Sequence, residues 1–140
     1  MQAALGVAQI ERMDEIIAKK RWMADQYTKR LSHLKSLQLP VEKPWAQSVY
    51  WMYALVLSEE TGMDNTECEK RLFELGVDTR PFFIGMHEQP VFHKMGLFKE
   101  EKYPVTERIA KQGLYLPSGL AITEAQIETV CDAVKEVIPS

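Results

Sequence analysis

Apolar residues recur at helical intervals along the first quarter of the chain. Between Met1 and Leu34 there is one glycine and no proline, and Ile10, Met13, Ile17, Ala24, Tyr27, Leu31 and Leu34 are spaced by three, four or seven residues. Such spacing lines one side of an α-helix, so the pattern predicts a long amphipathic helix over 1–34. Lys19, Lys20, Arg21, Lys29 and Arg30 then read as its solvated face. The helix opens without a cap, because Met1-Gln2-Ala3-Ala4 offers no Ser, Thr, Asp or Asn to accept the first free N–H groups. The expectation is a chain cut from inside a larger protein.

Pro40 and Pro44 punctuate a linker, and residues 49–57 are then apolar at every position and rich in aromatic and β-branched types. A run of that kind suits a strand buried on both faces. Asp64 with Glu67 has the form of a capping box, and Gly76 supplies a stop; a helix between them carries Cys68, Leu72 and Leu75 inward. Residues 77–83 read as a second strand. Residues 84–103 have no clear period and form a long loop with one helical turn, the kind of segment that often carries function. Pro104 opens a short helix ending before Gly113, and Leu114-Tyr115-Leu116 makes a short strand. Thr123 and Gln126 form a second capping box, behind which Ile127, Val130, Cys131, Val134 and Val137 or Ile138 make the cleanest helical stripe in the chain. Helices alternating with short strands in this order predict an α+β fold, a small mostly antiparallel sheet with helices packed on one face. The organisation expected is one domain over 1–140, with the helix of 1–34 leading into an α+β core over 45–140.

At 140 residues and 46% hydrophobic, the chain can close a single core. A net charge of −3 and a pI of 5.7 disfavour nucleic acid or an anionic membrane as partner, since both select a basic face. The longest apolar run is too short to span a bilayer and no charged leader precedes one, so a cytoplasmic protein is expected. Cys68 and Cys131 fall on apolar stripes and read as buried thiols rather than a disulfide or metal knuckle.

Few residues group into a chemical motif. His87 and His93 are six apart with Pro90 between them, whereas a zinc-binding helix needs two histidines four apart on one face. Pro117-Ser118-Gly119 lacks the spacing of a nucleophile elbow, so Ser118 reads as a turn residue, and His33 as a structural residue near a helix end. Residues 78–90 differ. Arg80, Phe82, Phe83 and His87 bring together a fixed charge, aromatic walls and a titratable donor, the parts of a pocket for a phosphorylated or polyhydroxylated ligand. The plainer reading pairs Arg80 with an acidic neighbour, puts the phenylalanines in the core and leaves His87 in a loop. Composition does not choose between them.

Several segments, in order, resemble one family. They are Met1-Gln2-Ala3-Ala4-Leu5-Gly6 with Gln9-Ile10-Glu11, Tyr50-Trp51-Met52-Tyr53, Gly76-Val77-Asp78-Thr79-Arg80-Pro81-Phe82-Phe83, Met86-His87-Glu88-Gln89-Pro90, Pro104-Val105-Thr106-Glu107-Arg108 and Leu116-Pro117-Ser118-Gly119. Together they look like the C-terminal part of the DegT/DnrJ/EryC1/StrS sugar aminotransferases, nearest to the perosamine synthetase branch. The resemblance implies a fold-type I aminotransferase, in which a large domain holds pyridoxal phosphate on a lysine and a small C-terminal domain packs against it. It implies conversion of a 4-keto-6-deoxy sugar on a nucleotide carrier to the 4-amino sugar, with glutamate as the amino donor, by a homodimer. The family's cofactor lysine precedes a Gly-Glu-Gly-containing stretch absent from this sequence. No pyridoxal phosphate is therefore expected on this chain alone, and its eleven lysines read as surface charges. By the same resemblance Arg80 and His87 contact substrate while Phe82 and Phe83 shape the site; Ile84-Gly85 stands where a Tyr-Pro pair is expected. A free-standing α+β module binding a small ligand or a partner through the same loop is the other reading.

Overall fold

The computed structural model describes residues 1–138. Its elements are α1 (Gln2–Ile10), α2 (Met13–Leu31), β1 (Leu37–Gln38), β2 (Tyr53–Leu57), α3 (Asn65–Glu74), β3 (Arg80–Pro81), α4 (Pro90–Lys94), α5 (Pro104–Gln112), β4 (Gly113–Leu116) and α6 (Glu124–Val137), with tight 3-10 turns at Glu59–Thr61 and Met86–Glu88. The strands form one antiparallel sheet in the order β1-β2-β4-β3.

Alternation along the strands decides which side of the sheet is covered. Tyr53, Leu55 and Leu57 of β2 and Leu114 and Leu116 of β4 share one face and are no more than 2% exposed. Tyr27 and Leu31 of α2, Cys68 and Leu72 of α3, and Ile127, Cys131 and Val134 of α6 close over them in one cluster. The opposite face carries Ala54, Tyr115 and Arg80, cross-strand neighbours through the pairs Ala54↔Tyr115 and Arg80↔Tyr115. The α+β class, the antiparallel sheet and helices on one face are thus as the sequence predicts.

Local chemistry explains the helix ends. The Thr123 hydroxyl accepts the Gln126 N–H at 3.3 Å, and the Gln126 side chain accepts the Thr123 N–H at 2.9 Å, completing the box at the start of α6. At α3 only half of the expected box forms. Asp64 accepts the Glu67 N–H at 3.0 Å, whereas the Glu67 carboxylate turns forward to Arg71 at 2.7 Å. Gly76 ends α3 at φ 81°, a left-handed conformation that costs glycine nothing, with the Val77 N–H on Leu72 O and the Gly76 N–H on Phe73 O, both at 2.9 Å.

Several expectations need correction. The helix of 1–34 is two helices, separated at Glu11–Arg12, where the Arg12 N–H bonds Gln9 O three residues back. No residue of α1 is buried, and Ile10 and Met13 are exposed; their helical spacing is real, but no surface among the described residues covers it. The run 49–57 enters the sheet only at Tyr53, because Tyr50 turns the chain at φ 46°. Of residues 77–83, only Arg80 and Pro81 pair as an edge strand, opposite the two middle residues of the four-residue β4. Leu75 sits at the exposed end of α3 rather than in the core. The core is not confined to 45–140: β1 pairs with β2 at Leu37↔Leu57, and Met23, Ala24, Tyr27 and Leu31 of α2 form much of the apolar layer. Cys68 and Cys131 are buried free thiols, as their stripe positions predict.

Candidate functional site

On the open face of the sheet, Arg80 stands between two hollows. One, about 440 Å³, is lined by Pro81, Phe82, Phe83, Ile84 and Gln89; the other, about 820 Å³, lies between Lys20, Trp51, Asp78, Ser118, Gly119 and Gln126. Met52, Arg80 and Tyr115 line both. The Arg80 side chain is 76% exposed and meets Asp78 at 3.5 Å, a loose contact that leaves most of its donors open to a ligand.

The phenylalanines divide their work. Phe82 stacks on Tyr115 with ring centroids 4.5 Å apart and lies against Gly113, where a Cβ would come within 2.3 Å of the Phe82 ring. Gly113 is needed for that close approach, and its carbonyl also accepts the Phe82 N–H at 3.0 Å. Phe83 is 70% exposed and tilts over Tyr115 at 6.0 Å. Both rings are walls of the smaller hollow rather than members of the apolar core.

His87 is placed elsewhere. It is buried, its Nε2 lies 3.2 Å from Glu107 Oε1, and its ring meets Tyr103 edge-on at 4.8 Å. Its carbonyl accepts the His93 ring N–H at 2.5 Å. Glu107 also accepts the Tyr103 N–H at 2.7 Å, and that bond, followed by the contact with His87, holds its carboxyl below the usual range. The structure therefore brings Arg80, Phe82 and Phe83 together and sets His87 behind the loop that carries them.

Sequence reasoning missed Lys20. Its Nζ donates to Trp51 O at 2.9 Å and more closely to Ser118 O, and burial lowers its pKa. The signal was available: Lys20, Ala24, Tyr27 and Leu31 follow one another by four, three and four residues, so this lysine lies on the apolar stripe and not on the solvated face. Arg21 and Arg30 are also engaged, with Glu42 and Glu124. Ser118 is a turn residue, as expected, and its hydroxyl accepts the Tyr53 N–H at 2.9 Å while donating to Leu116 O at 2.7 Å.

Comparison with known proteins gives this geometry a context. Residues 1–135 match the DegT/DnrJ/EryC1/StrS aminotransferase family. GDP-perosamine synthase of Escherichia coli O157:H7 is 30% identical over 134 residues, covering 96% of this chain and 35% of that protein. The GDP-perosamine synthase of Caulobacter vibrioides is 32% identical over 142 residues, with coverage of 99% and 37%. Among solved structures, S. venezuelae DesV superposes with a TM-score of 0.85 at 27% identity, over 97% of this chain and 35% of that one. The aminotransferase TlmJ from Streptoalloteichus hindustanus gives 0.83 at 26% identity, over 96% and 35%. The chain spans about a third of the length of the curated relatives it matches.

Proposed function

We propose, on the premise that the chain belongs to the DegT/DnrJ/EryC1/StrS aminotransferase family, that it is the small C-terminal domain, over 1–140, of a sugar-nucleotide aminotransferase. The intact enzyme converts a nucleotide-linked 4-keto-6-deoxy sugar to the 4-amino sugar, as a perosamine synthase does. Its amino donor is glutamate, it works as a cytoplasmic homodimer, and it serves polysaccharide biosynthesis. The observation that carries this reading is the match of nearly the whole chain to GDP-perosamine synthases, with the Arg80 segment lining the uncovered face of the sheet.

The family implies pyridoxal phosphate, which supplies the electron sink for moving an amino group. Lys20 does not suit the role of carrying that group. Lys20, the lysine lining the larger hollow, spends its N–H groups on two backbone carbonyls, and a cofactor lysine needs a free amine. On this reading the cofactor lysine lies in the remainder of the enzyme, and this chain contributes binding surface.

The exposed Arg80 guanidinium suits the oxygens of a diphosphate, which it can engage with two parallel N–H bonds. Phe82, Phe83 and Tyr115 offer an apolar wall for the deoxy sugar. His87 and Glu107 support the loop from behind. The test is an assay of the intact enzyme with a GDP-linked 4-keto-6-deoxyhexose, pyridoxal phosphate and glutamate, reading the amino sugar by mass spectrometry. Arg80→Ala is expected to raise the KM for the nucleotide sugar by roughly ten- to a hundredfold, the worth of a hydrogen bond to a charged group. Failure of the wild-type enzyme to aminate any nucleotide-linked keto sugar overturns the reading.

A further inference from the structure

The side chains of α2 hold two separate segments against one another. Arg21 reaches Ser48 O at 2.6 Å, and Tyr27 donates to Pro117 O at 2.8 Å. Each of these holds one segment. Lys20 holds both, because its ammonium donates to the carbonyl of Trp51, just before β2, and to that of Ser118, just after β4. Trp51 and Met52 line the larger hollow from one side and Ser118 lines it from another.

The segment under this clamp is not at rest by itself. Tyr50 has φ 46°, a conformation that costs a non-glycine residue free energy and persists only where neighbours impose it. Trp51 is 62% exposed and its ring adds no buried anchor. The Tyr50 ring packs partly against the core, and polar contacts add to it: the Lys20 bonds, the Arg21 bond to Ser48 O, the Tyr50 N–H to Ser48 Oγ and the Tyr53 N–H to Ser118 Oγ. The partners of Lys20 are carbonyls, so its charge strengthens both bonds, and among the described residues no carboxylate is paired with it.

We propose that Lys20 is a positioning residue: its ammonium clamps the Trp51 and Ser118 segments together and so sets the wall of the hollow beside Arg80 into which the nucleotide sugar binds. The inference rests on the functional reading above for its ligand, and on the structure alone for the clamp. Lys20 touches no reacting atom; it acts through the backbone of Trp51 and Met52. Burial, which lowers its pKa, agrees with an ammonium shielded by the two loops it joins.

Two measurements test it. On this chain, chymotrypsin cleavage at Tyr50 and Trp51, followed by mass spectrometry, reads how often the segment opens. Lys20→Met keeps the side-chain stem and removes the donors; it is expected to speed cleavage there about tenfold or more, since cleavage follows the open population. Lys20→Arg, which retains donors for two carbonyls, is expected to stay within about twofold of wild type. Lys20→Leu, which also lacks donors, stands in for Lys20→Met if circular dichroism shows the latter unfolded. No acceleration in a folded variant, or equal acceleration at the buried Tyr27 and Tyr53, overturns the clamp.

In the intact enzyme, Lys20→Met is expected to raise the KM for the nucleotide sugar about tenfold with kcat within about threefold, and Lys20→Arg to restore it. An unchanged KM overturns the positioning role even if the segment loosens. Should the wild-type enzyme aminate no sugar nucleotide, the functional reading falls, while the cleavage experiment still decides the clamp.

Discussion

Helix α1 is richer in apolar residues than α6, six of nine against seven of fourteen, yet it is α6 that is buried. In α6, Ile127, Val130, Cys131, Val134 and Val137 lie under the sheet, and Thr123 with Gln126 closes the first turn. In α1, Leu5, Val7 and Ile10 are each more than half exposed, the first turn has no side-chain cap, and no residue is buried. Apolar content alone does not decide which helix is buried. The difference is a facing surface: α6 lays its stripe on α2, α3 and the sheet, whereas α1 extends past them. Free energy comes from the surface removed from water, so the same sequence character stabilises one helix and leaves the other to its backbone.

Mutations sharpen that contrast, beginning with the largest expected effect. Ile127 is fully buried, and Ile127→Ala is expected to cost about 2–5 kcal/mol in urea unfolding of this chain. A loss under about 1 kcal/mol would mean that the α6 face repacks freely, and the contrast with α1 would fail.

Alkaline titration probes the same core through its ionisable groups. Burial pushes both the Cys68 and Cys131 thiols up to about 11 and the Tyr53 hydroxyl up to about 12. Each neutral form is favoured by folding, so between the ordinary and the raised pKa the folded state holds more protons than the unfolded one. Stability is accordingly full below about pH 9, the ordinary thiol value, and falls as pH rises toward 11 and 12. Midpoints of urea unfolding measured from pH 7 to 11 check this, and a rise above pH 9 would contradict the burial described.

Capping gives a smaller effect. Thr123→Ala removes the acceptor for the Gln126 N–H and is expected to cost about 1 kcal/mol. Least of all, Leu5→Ser in α1 is expected to change the stability of this chain by less than about 0.5 kcal/mol. A cost near that of Ile127→Ala would show that α1 has a packing partner and would dissolve the comparison.

Legibility in the sequence follows the same physics. The α6 stripe, the Thr123 box, the Gly76 stop and the Pro104 start rest on residues within one turn of each other, and all appear where their spacing puts them. The single helix over 1–34 and the strand over 49–57 rest on hydrophobic pattern alone, which does not say whether a surface will face it. β1 was hidden because a two-residue strand has no period to read.

For the site, residue types pointed to the segment around Arg80, and in the structure Phe82 and Phe83 line one hollow with Arg80 and Tyr115. That His87 turns inward to Glu107 is a contact between residues twenty apart, which spacing does not encode. Lys20 joins Trp51 and Ser118 across 31 and 98 positions. Its place on the apolar stripe was visible, but a lysine suggests solvent until the two carbonyls that receive it are known.

What the chain determined by itself is the set of locally dictated features: where α5 and α6 begin, where α3 stops, which thiols are buried, and the family its ordered motifs resemble. The tertiary structure alone decided which apolar faces find a partner, that Arg80 is open while His87 is enclosed, and that Lys20 is tied to two carbonyls at the edge of the larger hollow. The reason is range: caps and periodicity act within one helical turn, whereas burial and hydrogen-bond partners depend on segments that meet only when the sheet has assembled.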